Sequence, residues 1–238
     1  MIYQTLKKRT TLIWGLLFTC VYTSFPQSKN WSIGIGNAIT SYDFTTSGGN
    51  KIDYLKNGTG NSYVLGLEQS FLDTNKYIGQ SSPKAIYYLQ HKTLSKFLSK
   101  MNFGIKAVMN QYNAVGDIQN LAFDYQTNYA GLQLSVGPRI GLGKKWNVHL
   151  NGLVSGQHIL QGNQHVNYSY FDLTKDPSFK GLKLFLGYEV RLEKQINNSL
   201  SFYIAGTNTK TYQAKESGMA SLNFNSTSLL IGIKILGI

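Results

Sequence analysis

The chain has 238 residues, a net charge of +12, one cysteine, and 14% charged residues beside 13% aromatic residues and 24 glycines. Soluble domains carry about 25% charged residues, so the surface is not that of an ordinary soluble domain. The basic residues are scattered singly, which argues against a nucleic-acid-binding patch, and a lone cysteine excludes a disulfide framework or a thiolate metal site.

The chain opens with Lys7, Lys8 and Arg9, then the apolar run Leu12, Ile13, Trp14, Leu16, Leu17, Phe18 and Val21, and a polar exit through Thr23, Ser24 and Gln27. This is the pattern of a secretory signal peptide, assigned to 1–26, with the mature domain at 27–238. The apolar run is shorter than the roughly 20 residues of a spanning helix. Cys20 lies inside it, where the bulky Leu17-Phe18-Thr19 argues against a lipidation signal. Removing Lys7, Lys8 and Arg9 takes the charge from +12 to +9.

Beyond Gln27 the sequence alternates two residues at a time, the period of strands that are apolar on one face and polar on the other. Trp31, Ile33 and Ile35 begin the series, and a polar loop over 45–60 follows. Tyr63, Leu65 and Leu67 alternate with Val64, Gly66 and Glu68. Lys84–His91 reads as a weaker strand and Thr93–Lys100 as a short connection. Met101, Phe103, Ile105, Ala107 and Met109 then alternate with Asn102, Gly104, Lys106, Val108 and Asn110, ahead of a loop over Asn113–Asn120.

The clearest hairpin runs from Tyr129 to Ile159. Leu132, Leu134, Val136, Ile140 and Leu142 share one parity; Trp146, Val148, Leu150 and Val154 resume it after the tight turn Gly143-Lys144-Lys145. Pro138, lacking an N–H, is the local objection. A loop over His158–Ser178 follows. Leu182, Leu184, Leu186, Tyr188, Val190 and Leu192 alternate with Lys183, Phe185, Gly187, Glu189, Arg191 and Glu193. Leu200, Phe202 and Ile204, a loop over Lys210–Asn223, and Leu229, Ile231, Ile233 and Ile235 against Gly232 and Lys234 complete the chain.

These strands are longer than the usual five or six residues and reach the roughly nine to eleven that cross a bilayer. Short and long connections alternate, as periplasmic turns and extracellular loops do. The reading is an all-β, antiparallel transmembrane β-barrel of about eight strands, ten being the alternative if His158–Ser178 hides another crossing. A soluble, lipocalin-like barrel would show long charged side chains on its polar parity, whereas here Gly, Ser, Asn and Gln predominate. That composition suits a crowded lumen.

The signal peptide, the glycine-rich alternating strands, the terminal strand and Gln27 at the mature start resemble small outer-membrane β-barrel domains of Bacteroidetes-type bacteria, the PorT-like proteins among them. The resemblance covers roughly Trp31 to Ile238, although Ile238 stands where many such barrels end in an aromatic residue. It implies the barrel fold and the outer membrane of a Gram-negative bacterium, and assigns no specific activity; outer-membrane lipid, and envelope or secretion proteins through the extracellular loops, are the partners expected.

Chemistry-bearing motifs are weak. Gly141-Leu142-Gly143-Lys144 lacks the earlier glycine and the following Ser or Thr of a phosphate loop. His149, Asn151 and Ser155 share a strand face but are spread along it, too far apart for a catalytic set. No catalytic, cofactor or metal site is expected, and no enzymatic activity. Two sets of residues stand out instead. Glu68, Lys106, Arg139, Lys183, Glu189 and Arg191 fall on the inward parity as a lumenal charge network, with the two carboxylates outnumbered, so that water or an anion would complete the pairing. A loop group of His165, Tyr168, Tyr170 and Phe171 offers either partner binding or packing between loops, packing being the preferred reading. The function expected is a non-enzymatic, structural or accessory barrel; the alternatives are a small anion-preferring channel and a soluble binder of an apolar ligand.

Overall fold

The computed structural model describes residues 29–46, 48–51, 55–71, 92–118, 121–212 and 221–237. The signal segment and Lys84–His91 lie outside the described residues. Among the described residues, nine strands follow the alternation: β1 (Asn30–Thr45), β2 (Leu55–Ser70), β3 (Met101–Ile118), β4 (Leu121–Gly143), β5 (Trp146–Val166), β6 (Ser169–Asp172), β7 (Leu182–Gln195), β8 (Leu200–Tyr212) and β9 (Ser221–Ile235). All pair antiparallel, each with its neighbour along the chain, except that β7 pairs with β5. β1 pairs with β9 over fifteen rungs from Trp31↔Ile235 to Thr45↔Ser221, which closes the sheet. β6 is only a four-residue partner of β5. The barrel therefore has eight strands, and the ten-stranded alternative falls because the 158–178 segment extends β5 and adds a short hairpin instead of a crossing.

Closure leaves every barrel strand with two partners, so backbone polar groups are satisfied without water, the condition for crossing hydrocarbon. The outward face is the apolar parity: Ile33, Ile35, Leu65, Leu132, Val136, Ile140, Leu150, Val154, Leu184, Leu186, Val190, Ile204, Leu229, Ile231 and Ile233 are all exposed. The inward face buries Ser32, Lys106, Gln133, Ser135, His149, Glu189, Arg191 and Lys234. Apolar outside and polar inside is the inverse of a soluble barrel holding an apolar ligand, which rules that reading out. The chain is a transmembrane β-barrel, with lipid against its belt.

Both ends of the described chain, the two-residue turn Lys144-Lys145 and the 196–199 turn lie at one rim, the periplasmic one by the rule that such turns are short there. Lys144 and Lys145 both have positive φ (43° and 71°) beside Gly143 at 82°, the primed conformation that matches strand twist. The connection from β2 to β3 departs from the short-turn rule. It spans 71–100, and the expected short link over Thr93–Lys100 is a helix, α1 (Lys92–Lys100), joined directly to β3. Its pattern has Leu94, Phe97 and Leu98 at helical spacing, the period-3.6 signal that a strand-based reading passed over.

At the opposite rim the strands outrun the bilayer. β4 has 23 residues and β5 has 21, about twice the crossing length. Of the segments read as loops, Asn113–Asn120 and His158–Ser178 are in large part strand, because the ladders continue to Ile118↔Leu121 and Phe123↔Val166; at 45–60 and Lys210–Asn223 the described ends also belong to strands. Pro138 is accommodated opposite Met101, the first residue of β3, where the β4–β5 pairing skips from Val136↔Gly152 to Arg139↔His149.

Candidate functional site

The lumen is filled by two layers of different chemistry. The periplasmic half holds an ionic cluster. Arg191 on β7 donates from Nη1 to both carboxylate oxygens of Glu68 on β2, at 2.7 and 2.9 Å, and from Nη2 to Glu189 at 2.9 Å. Lys106 on β3 donates to Glu189 at 3.0 Å and lies 3.7 Å from Glu68. Lys234 on β9 lies 3.1 Å from Glu193 and 3.4 Å from Glu68. Asn151 adds a 2.8 Å hydrogen bond to Glu189. Charges withdrawn from water persist only when paired, and here three carboxylates meet three cations.

Glu68, Lys106, Glu189 and Arg191 come together in this cluster. Arg139 is half-buried near the rim and Lys183 donates instead to the Ser178 carbonyl at 2.7 Å. Neither joins the cluster. Glu193 and Lys234 take their places. Both stood on the inward parity, but only closure of β9 onto β1 brings Lys234 across to β7. The expected excess of positive charge is therefore corrected to a balance, and the pairing is complete without an anion.

Small residues make the room. Gly66 is the register partner of Lys106, and a methyl on it would sit 2.7 Å from the lysine Cγ. The Tyr203 ring lies over Gly34 and Gly232, where any Cβ would collide with it, and the Arg191 guanidinium stacks on that ring at 4.5 Å. Nearer the rim, His149 Nε2 lies 3.1 Å from Glu193, and its Nδ1 lies 3.3 Å from the Asn102 amide. Ser155 accepts a hydrogen bond from Gln157, so His149 and Ser155 do not converge.

The extracellular half is aromatic, which the sequence reading, expecting a polar lumen throughout, missed. Tyr42, Tyr112, Tyr129, Phe179, Phe185, Leu222 and Phe224 form one buried cluster with Leu173. The Tyr112 ring lies near-parallel to Phe185 at 5.1 Å and to Phe224 at 5.2 Å. The phenol groups find partners as buried Tyr usually does: Tyr42 donates to the Tyr112 carbonyl and Tyr129 to the Phe179 carbonyl, each at 2.7 Å. Leu173 and Phe179 come from the β6–β7 connection, which folds over the mouth as a cap. The available signal was the inward parity of Phe185 and Phe224. Between the layers lies a polar cavity of about 20 Å³ lined by Asn110, Gln133, Gln157, Glu189 and Ser226 among others, room for about one water.

The loop group behaves differently from the lumen. His165 on β5 is the register partner of Tyr170 on β6, and their rings meet edge-on at 5.1 Å. Tyr168, at the turn after Asn167 (φ 50°), is fully exposed, and Tyr170 and Phe171 are exposed as well. The rings of Tyr168, Tyr170 and Phe171 are thus left largely to solvent. The hairpin continues the sheet outward past the mouth, its base tied to β4 by Asn167–Ala122 and Gln164–Tyr125 hydrogen bonds.

Around the outside, Trp31, Trp146 and Phe202 mark the periplasmic end of the belt and Tyr212 the other. Tyr63 and Tyr188 stand mid-strand, opposite Ile35 and Gly152.

No protein-family model matches the sequence, and no curated protein matches it. Solved structures resemble it in fold. Neisserial surface protein A aligns at a TM-score of 0.44 with 10% identity, covering 87% of this chain and 96% of that one. A major outer membrane protein from Thermus thermophilus aligns at 0.43 with 14% identity, over 86% and 99%. OprG from Pseudomonas aeruginosa aligns at 0.40 with 14% identity, over 88% and 96%.

Proposed function

We propose that this chain is a sealed, non-enzymatic outer-membrane barrel whose work is done at its extracellular face. The supporting observation is the filled lumen, with the Glu68–Arg191–Glu189–Lys106 cluster below and the Tyr112–Phe185–Phe224 cluster above. Eight-stranded barrels are just wide enough for side chains to fill, so neither a conduction path nor a substrate chamber is called for. Among the described residues, the aromatic surface outside the lumen at that end is the β5–β6 hairpin with Tyr168, Tyr170 and Phe171. Aromatic side chains outside any core are what partner-binding surfaces use, and an accessory role in secretion or envelope assembly needs such a surface.

Planar-bilayer recording on the purified protein tests the seal. No steady conductance is expected; anion-selective steps would replace this reading with the channel. Exchanging Asn163–Phe171 for a short Gly/Ser turn tests the surface. The barrel should still fold, as judged by heat-modifiable migration, while cross-linking to envelope proteins in intact cells is lost. Persistence of the same cross-links would place the binding surface elsewhere.

A further inference from the structure

We propose that the periplasmic rim is an anionic-lipid binding surface, with helix α1 lying in the headgroup layer of the periplasmic leaflet. The helix is amphipathic by spacing: Leu94, Phe97 and Leu98 fall within about 100° of arc, and Lys96 and Lys100 fall on the opposite side. It contains no acidic residue in its first turn and ends on Lys100. Leu94 is 41% and Phe97 59% exposed, while Ser95, on a third side, is buried. The barrel therefore takes the serine side and leaves the apolar side uncovered. A basic amphipathic helix of this kind lies in a membrane interface, apolar side down.

The position of the helix fixes which interface it meets. Lys100 runs without a linker into Met101, whose carbonyl accepts from the Phe71 N–H at 2.9 Å, so the helix is tethered at the bilayer boundary. Phe71 packs edge-on against Phe103 of the belt at 6.2 Å, so an aromatic pair of the lipid-facing side stands where the helix is tethered. The rest of the rim has the same chemistry. Lys144 and Lys145 occupy the exposed β4–β5 turn, and Lys194 lies over the Trp146 ring at 5.1 Å. Among the described residues, the carboxylates nearest this rim, Glu68 and Glu193, are buried in the lumen and paired there. Exposed carboxylates are at the other end, where Asp43 and Asp172 pair with Lys51 and Lys175. The exposed rim thus presents lysine and aromatic side chains together, the combination that anionic headgroups over an acyl layer attract. Each lysine near an anionic surface is worth about a fivefold change in partitioning.

The test uses the mature chain, which contains no cysteine of its own once Cys20 is removed with the signal segment. It carries Phe97→Cys with a nitroxide label and is reconstituted in nanodiscs. The discs contain either phosphatidylcholine alone or phosphatidylcholine with phosphatidylglycerol. In the anionic discs, the label should be accessible to oxygen and shielded from a water-soluble nickel complex. A label at Lys96→Cys should be nickel-accessible throughout. In the Phe97→Cys protein, adding Lys96→Glu and Lys100→Glu should return the 97 label to water, because two charge reversals lower partitioning by about 25-fold or more. Equal nickel access at 97 in both lipids would overturn the proposal. So would shielding at 97 that persists unchanged in a lipid-free amphipol, since that would mean the helix packs on protein. Neither outcome depends on the seal or the extracellular hairpin.

Discussion

Arg191 and Glu68 are 123 residues apart in the chain and joined across the lumen at 2.7 Å, with the guanidinium almost completely buried. The pair links β7 to β2, strands that are not neighbours in the barrel. It therefore ties opposite walls in a way the backbone ladder does not. Breaking one partner of a buried pair costs about 3–5 kcal/mol, because the other charge is left without compensation.

Glu68→Ala strips a partner from Arg191, Lys106 and Lys234 at once. It should lower unfolding stability in lipid vesicles by about 3–5 kcal/mol, measured by urea titration of tryptophan fluorescence. Glu68→Leu combined with Arg191→Met should recover part of the loss. A single variant as stable as the parent would show the cluster to be dispensable.

Leu186 faces lipid and Lys183 faces inward. An arginine near the bilayer midplane costs roughly 2–4 kcal/mol, so Leu186→Arg and Leu184→Arg should both reduce the folded fraction on a heat-modifiability gel. Lys183→Gln should cost much less, because an amide can still donate to the Ser178 carbonyl. Equal behaviour of all three would contradict the assigned faces.

Phe224 packs against Tyr42, Tyr112, Tyr129, Phe179 and Phe185. Phe224→Ala should cost about 3–5 kcal/mol by opening a cavity in this layer. It should still leave the bilayer unpermeabilised, since the ionic layer beneath is untouched. Conductance appearing with this change alone would mean that the aromatic layer is the whole seal.

The turn at Lys144 and Lys145 places two β-carbon-bearing residues at positive φ. Lys144→Asn with Lys145→Gly supplies residues suited to that geometry and should raise stability by about 1 kcal/mol. Urea titration reads the change; a lower midpoint would show that the lysines contribute more at the rim than the strain costs.

Asp172 caps the Leu173–Lys175 turn, accepting from the Thr174 N–H at 2.9 Å and from its hydroxyl at 2.6 Å. These bonds, then Lys175, hold its carboxyl below the usual range. A depressed carboxylate contributes its stability above its unfolded pKa, about 3.9, and loses it as pH falls through the lower folded value. The Thr174 amide resonance should therefore keep its position at about pH 5 and move only in acid below the ordinary aspartate midpoint. In Asp172→Asn the movement should vanish.

Much of this molecule was legible because a barrel strand is a repeating pattern. Leu132, Val136, Leu184, Leu186, Ile231 and Ile233 reveal their common face by spacing alone, and the same spacing puts Glu68, Lys106, Glu189 and Arg191 on the other. The 45–60 and 158–178 segments misled because strands that leave the bilayer lose the apolar half of the alternation and look like polar loops. Helix α1 was hidden by its length, nine residues between longer periodic runs.

By itself, then, the sequence determined the strands, their two faces and the solvent each face requires, because side-chain parity is a local property of extended chain. The partners within the lumen were decided only by closure. Lys234 meets Glu193 and Glu68, and Phe224 meets Tyr112, because pairing β9 with β1 and β8 sets which inward side chains share a depth. Register between strands far apart in sequence is not written in any one strand's alternation. The barrel sets it, and with it whether the buried charges balance.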